Sequence, residues 1–116
     1  MKIRRERRSA CPVANTLDLL GDRWTLLIVR DLMRGKSRYG DFLASSEGIP
    51  TNILAERLKR LQEAEVVEAV LYSEHPPRYE YRLTPKGAAL GPVVRSMVDW
   101  GLAHIPDTRV PSRAIV

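Results

Sequence analysis

Apolar positions along this chain recur with helical spacing up to about residue 65, with strand spacing to residue 83, and with helical spacing again beyond it. Between Thr51 and Glu63, Leu54, Leu58 and Leu61 fall at i, i+4 and i+7 and stack into one stripe. Asn52, Glu56 and Lys59 then lie on the opposite face, flanked by Ala55 and Arg60. Val13, Leu17 and Leu20 predict the buried stripe of a first helix, with Cys11 as N-cap, Pro12 at the first helical position and Gly21 as the stop. Trp24, Leu27, Ile28, Leu32 and Met33 are spread widely around a second helix from about Asp22 to Arg34, which predicts the central buried helix. Ser37 is placed to cap a short third helix, with Asp41 near its first turn and Tyr39, Phe42 and Leu43 buried. Ser45 to Gly48 reads as a turn. A short helix, a tight turn and a longer amphipathic helix form a helix-turn-helix pattern.

Val66 to Tyr72 is rich in β-branched and apolar residues and predicts a strand. Arg78 to Leu83 alternates with period two, with Tyr79, Tyr81 and Leu83 on one side and Arg78, Glu80 and Arg82 on the other. Ser73 to Pro77, with two prolines, is the hairpin tip. A hairpin directly after the long helix is the wing of a winged helix. Its edge residue Arg78 suits a phosphate or the minor groove, or else a cross-strand pair with Glu68 or Glu74. Thr84 as cap and Pro85 open one last helix, whose stripe of Leu90, Val93, Val94, Met97, Trp100 and Gly101 continues to Ile105. The simplest use of so long an apolar face is burial against a second copy of the chain.

At 116 residues and 44% hydrophobic composition the chain has room for one real core. No apolar run approaches the ~20 residues a membrane span needs, and the basic start lacks the apolar stretch of a secretory signal. The single cysteine, Cys11, has no partner for an internal disulfide, which points to a reducing cytoplasm. Net charge is +5, and Lys2, Arg4, Arg5, Arg7 and Arg8 against Glu6 place +4 of it in the first eight residues. A polyanionic partner fits that distribution, as does a solvated terminus. His75 and His104 have no metal-like spacing, and neither a phosphate-binding glycine loop nor a nucleophile elbow occurs. An enzyme is not expected, nor is a metal or cofactor.

Three ordered motifs resemble the HxlR-type transcriptional regulators, relatives of the MarR group. They are Cys11-Pro12-Val13 with Leu20 to Ile28, Ile49 to Leu58, and His75 to Tyr81 followed by Leu83 to Gly87; Asp99-Trp100-Gly101 also matches. The resemblance spans Cys11 to about Ile105. It implies a homodimeric winged-helix protein acting on nearby genes, with dimer contacts from the first and last helices. It also implies that Cys11 matches the cysteine through which some members sense electrophiles or oxidants. Two positions depart from the pattern. Pro50 stands where serine is common, so Thr51 is expected to cap and the long helix to start one residue later. Glu65 stands where glycine is common, a costly choice if its φ is positive.

These readings combine into a mainly helical α+β fold, a winged helix-turn-helix with extra N- and C-terminal dimerisation helices. Residues 1–10 form a basic arm, 11–105 the domain and 106–116 a loose tail. The expected function is sequence-specific regulation of transcription by a homodimer on a pseudo-palindromic operator of double-stranded DNA, with a small-molecule or oxidant effector compatible with it. The alternative is a winged-helix protein-interaction module that does not bind DNA. Thr51, Asn52, Ala55 and Lys59 are expected at base edges, and Ser37, Arg38, Arg60 and Arg78 at sugar-phosphate. Arg57 matches the family motif but flanks the buried stripe, so an internal ion pair competes with a DNA contact. Val13, Leu17, Leu90, Val94, Met97 and Trp100 are the expected dimer interface. Cys11, at the positive end of a helix dipole, is the redox-sensing candidate.

Overall fold

The computed structural model describes residues 7–110. Lys2, Arg4, Arg5 and Glu6 of the basic arm, and residues 111–116 of the expected tail, lie outside the described residues. The element order is α1 (Pro12–Leu20), α2 (Thr25–Met33), α3 (Tyr39–Leu43), α4 (Thr51–Glu63), β1 (Val67–Glu74), β2 (Pro77–Leu83), α5 (Pro85–Ala88) and α6 (Gly91–His104). β1 and β2 form a two-stranded antiparallel sheet.

α2 is the central helix, as its broad apolar surface predicts. Ile28, Val29 and Leu32 join Phe42 of α3, Leu54, Leu58 and Leu61 of α4, Val66 and Val67 at the strand, and Val94 of α6 in one core. Truncating any of the α4 leucines to alanine is expected to cost about 2–5 kcal/mol, because the cavity adds to the lost transfer energy. α2 begins at Thr25 rather than Asp22. The Asp22 side chain accepts the Trp24 and Thr25 backbone N–H groups at 2.8 and 2.9 Å, which satisfies the first turn from outside the helix.

Several expectations are corrected. Only Leu20 of the α1 stripe is buried; Val13 and Leu17 are 66% and 55% exposed. Ser37 does not cap α3. Arg38 holds the cap position, and Asp41 reaches back to accept its N–H at 3.0 Å. Thr51 is the first residue of α4 rather than its cap, since Pro50 at φ −64 already has the extended backbone a cap position needs. The single last helix is two. Thr84 caps α5 by accepting the Gly87 N–H, and the chain restarts at Gly91 because Pro92 has no N–H to continue the ladder. The hairpin is longer than expected, with strand pairing carried out to Glu74 and Pro77.

The α4–β1 junction is built on strain. Glu65 has φ 63, in the left-handed region. Val66 N–H then reaches Leu61 O at 2.9 Å and Glu65 N–H reaches Gln62 O at 3.0 Å, the paired bonds of a Schellman stop. The helix therefore ends as it would with glycine, and the cost falls on Glu65. Lys86 Nζ caps Ala64 O at 2.8 Å, and the Thr84 hydroxyl donates to Glu65 O. Gly87 sits against this junction so closely that a Cβ there would lie 2.1 Å from Val66 O.

The wing is anchored at its base. Tyr81 N–H donates to Ser37 O at 2.7 Å, and Arg38 and Glu80 form an antiparallel bridge. The segment before α3 thus adds a short third edge to a ribbon that would be marginal alone. A register shift between Leu71 and Ser73 marks a bulge beyond the anchor.

Among the described residues the chain is extended for its length. Its radius of gyration is 15.1 Å, against about 13 Å for a compact domain of this size. Val13 and Leu17 on α1, and Val93, Met97, Trp100 and Leu102 on α6, are exposed. Val94, expected at a dimer contact, is buried in the chain's own core, and Leu90 packs half-buried against that core. Both leave the expected interface set. The expected loose tail is tied at its start, where the Thr108 hydroxyl donates to Gly101 O and Ile105 O.

Candidate nucleic-acid interface

α4 buries Leu54, Leu58 and Leu61 and turns Thr51, Asn52, Ala55, Glu56 and Lys59 to solvent. Period 3.6 separates the two sets, so the exposed set forms one strip running from the first turn. The N-terminal end of α4 is fixed by α3. The Tyr39 hydroxyl donates to Thr51 O at 2.8 Å, a tie that the sequence reading missed because it placed Tyr39 only in the core.

On the flank, Arg57 and Arg60 both turn to Asp22, at 3.2 and 3.1 Å. Arg57 also pairs with Glu56 and is only 20% exposed in its side chain. It is therefore an internal positioning group, and its place among the DNA contacts is withdrawn. Arg60 keeps 39% exposure with one nitrogen on Asp22, which leaves an outer side for a further partner. Burial pushes the Asp22 carboxyl up. Hydrogen bonds from the Thr25 hydroxyl, the Trp24 and Thr25 N–H groups and Arg57 outweigh this and hold it well below the usual carboxylate range. Asp22 is thus an anion that caps α2 and clamps α4 at once. Its position before Arg23-Trp24 was visible, but no local pattern announces a partner 38 residues away.

The wing stands beside α3. Arg38 lies over the Tyr72 ring at 4.2 Å and meets Glu80 at 3.4 Å. Arg82, not Arg78, takes the cross-strand pair with Glu68, at 3.1 Å. Arg78 is exposed opposite Ser73 and makes no ion pair among the described residues. Arg38 and Arg78 face a cleft of about 500 Å³ between α3 and the wing, whose walls include Tyr39, Tyr72 and Tyr79. Ser37 is half-buried, with its carbonyl spent on Tyr81 and its hydroxyl unbonded among the described residues. The arrangement offers an exposed helix strip with amide, hydroxyl and ammonium groups, flanked by two arginines on a hairpin and its neighbour. It offers no clustered nucleophile, base or metal-ligand set among the described residues.

Cys11 is exposed at the N-cap position of α1. Its sulfur makes no capping bond; Asn15 Nδ2 instead bonds Cys11 O at 2.8 Å and Ser9 O at 3.0 Å. Arg8 folds back along α1 to Asp18 at 2.6 Å and to Ala14 O. Among the described residues no helix is long and apolar enough to cross a membrane.

Residues 19–109 match the family described as HxlR-like helix-turn-helix. An uncharacterized HTH-type transcriptional regulator of Mycobacterium tuberculosis is 40% identical over 99 residues, covering 85% of this chain. The chain spans only 62% of that relative's length. The HTH-type transcriptional regulator YodB of Bacillus subtilis is 40% identical over 91 residues, covering 78% of this chain and 81% of YodB. Among solved structures, the redox regulator HypR in its reduced form superposes with a TM-score of 0.76 at 31% identity, covering 83% of this chain and 95% of HypR. HypR has also been solved oxidised, and YodB reduced, diamide-treated and quinone-bound. These relatives are winged helix-turn-helix regulators of transcription rather than enzymes.

Proposed function

The chain belongs to the HxlR-like helix-turn-helix family, and from that premise we propose that it is a cytoplasmic regulator binding duplex DNA as a homodimer on a pseudo-palindromic site. The observation that carries the reading is the exposed strip Thr51, Asn52, Ala55 and Lys59 on a helix whose other face is buried, with Arg78 exposed on the adjoining wing. The strip reads base edges in the major groove: Asn52 can bond adenine at two atoms, and Lys59 reaches guanine or phosphate. Arg78, Arg38, Ser37 and the outer side of Arg60 meet sugar-phosphate. Glu80 and Asp22 leave Arg38 and Arg60 partly neutralised, so Arg78 carries the larger share of the non-specific attraction.

The second copy is supported by the apolar side chains left exposed on α1 and α6 in an extended protomer: Val13, Leu17, Met97 and Trp100. Isologous burial of this surface sets the recognition helices about one DNA turn apart, ~34 Å. Cys11 heads α1, exposed and free. With no other cysteine in the chain, its oxidation ends as a sulfenic acid, a mixed disulfide with a small thiol, or a bridge between subunits. Any of these alters a helix of the proposed interface. Support comes from HypR and YodB, which are solved in reduced and in oxidised or quinone-bound forms.

The test begins with selection of a preferred duplex, followed by anisotropy titrations over a range of salt. Asn52→Ala should lose roughly 1–3 kcal/mol on that duplex and relax preference at one position. Arg78→Ala should weaken all duplexes alike and make the salt slope shallower by about one unit. Absence of salt-dependent duplex binding would favour the protein-interaction alternative. Equal affinity of Asn52→Ala and the parent would refute the placement of α4.

A further inference from the structure

Arg38 stands where the segment before α3 bridges β2, and its side chain meets two unlike neighbours on the wing. Its Cζ lies 4.2 Å from the centroid of the Tyr72 ring, on β1. Its Nη2 donates to Glu80 Oε2, on β2, at 3.4 Å. The two contacts use different parts of the guanidinium. An aromatic ring holds the group by its face and leaves the N–H donors in its plane free. A carboxylate takes one of those donors and cancels the charge. At 3.4 Å, with the side chains 55% and 40% exposed, the Arg38–Glu80 pair is long for an ion pair and open to a competing anion. Asp41, the other carboxylate beside this cleft, is spent on the Ser37 and Arg38 backbone N–H groups at 3.3 and 3.0 Å. The Tyr72 hydroxyl makes no hydrogen bond among the described residues, so the ring is what that side chain supplies.

We propose that Tyr72 and Glu80 are opposed positioning residues that set how strongly Arg38 takes a DNA phosphate: the Tyr72 ring holds the guanidinium ready, and the Glu80 carboxylate holds it back. The inference rests on the reading of the chain as a duplex-binding protein and assigns two further residues to that interface. A phosphate oxygen displaces Glu80 from the outer N–H edge while the stack on Tyr72 persists. The long side chain is then already ordered when DNA arrives, so less rotamer freedom is lost on binding. Phosphate contacts carry no base identity, so both effects fall on every duplex alike. Opposite signs from two neighbours of one arginine are the signature, because a merely structural role for either residue would weaken binding on its removal.

The experiment is an anisotropy titration of the full chain against a fluorescein-labelled selected duplex and a scrambled duplex of equal length, over a range of salt. Tyr72→Leu should weaken both by about two- to fivefold, the worth of an exposed cation–π contact, while Tyr72→Phe binds as the parent does. Glu80→Gln should tighten both by up to about fivefold and steepen the salt slope by up to about one unit. In an Arg38→Ala background both effects should vanish, since they act through that side chain. In the unaltered protein the Arg38 side-chain resonances should be shifted upfield by the Tyr72 ring and stay so with duplex bound, which keeps the test valid should a variant fold poorly. A gain from Glu80→Gln that persists without Arg38 would mean plain repulsion between carboxylate and phosphate. Tyr72→Phe as weak as Tyr72→Leu would make the hydroxyl, not the ring, the active part. Loss of the ring shift on binding would mean that Arg38 leaves its stack. Each of these overturns the proposal and leaves duplex binding standing, whereas absence of salt-dependent binding by the parent removes the DNA reading and the proposal with it.

Discussion

Replacing Glu65 by glycine should stabilise the protein, against the usual rule that glycine weakens a fold. Glu65 lies at φ 63, where a Cβ crowds the following carbonyl at roughly 1–2 kcal/mol. Its side chain is exposed and makes no hydrogen bond or ion pair among the described residues, so little is lost with it. Glycine removes the crowding but gives the unfolded chain more freedom, at about 0.4–1 kcal/mol. The balance is a gain of about 0.5–1 kcal/mol. With an unfolding entropy near 2.1 cal/mol/K per residue, that is roughly 2–4 °C in Tm for a chain of this length. Differential scanning calorimetry at one fixed protomer concentration reads it, since a dimer's midpoint moves with concentration. Glu65→Ala is the control: it removes the charge and keeps the Cβ, and should not gain. Equal gains for glycine and alanine would locate the effect in charge. A lower Tm for Glu65→Gly would mean that the positive φ is not strained.

Arg30 holds the Glu47 carboxyl down at about 2, against ~4.3 in an unfolded chain. The pair's stabilisation is therefore complete above about pH 5 and lost as pH falls through 4 towards 2. Glu47→Gln should lower Tm at neutral pH and flatten that acid-side fall, and parallel Tm curves for the two proteins would refute the pairing. Gly87→Ala drives a Cβ to 2.1 Å from Val66 O, an overpacking that should cost about 1–3 kcal/mol in urea unfolding; an unchanged midpoint would mean the junction has slack. Trp100 is 61% exposed and Met97 55%. Met97→Glu with Trp100→Glu should therefore shift sedimentation to the monomer while far-ultraviolet circular dichroism stays unchanged. A persisting dimer would remove α6 from the interface.

Sequence patterning was sufficient where burial and period coincide. The α4 stripe of Leu54, Leu58 and Leu61, the breadth of α2 and the strand alternation at Tyr81 and Leu83 all follow from which residues must leave water. It failed where partners are remote or where two roles share one pattern. The Val13 and Leu17 stripe has the spacing of a core face, yet the fold leaves it exposed, because period alone does not say which apolar stripe the chain's own core covers. Val94 shows the converse. The Asp22 clamp on Arg57 and Arg60 joins residues far apart in sequence, and only tertiary packing creates it. The break between α5 and α6 was readable at Gly91-Pro92, where proline's missing N–H outweighs the apolar period around it. Glu65 shows tertiary structure overriding local preference: Leu61, Val66, Thr84 and Lys86 fix the turn whichever residue occupies it.

The Tyr81–Ser37 bond, with the Arg38–Glu80 bridge next to it, is the pivot at which the hairpin is held to the segment before α3. Arg78 lies three residues beyond that pivot, about 10 Å along the strand at 3.3–3.4 Å per residue. A swing of roughly 15° about that pivot would carry the Arg78 backbone about 2–3 Å sideways on this lever. Duplex minor grooves differ in width with sequence by amounts of this order. On the proposed DNA-binding reading, an arm of this length would follow such differences without moving α4, and sites with unlike flanks would share one register. Hydrogen exchange locates the boundary, with the Tyr81 amide the slowest to exchange in the arm that carries Arg78.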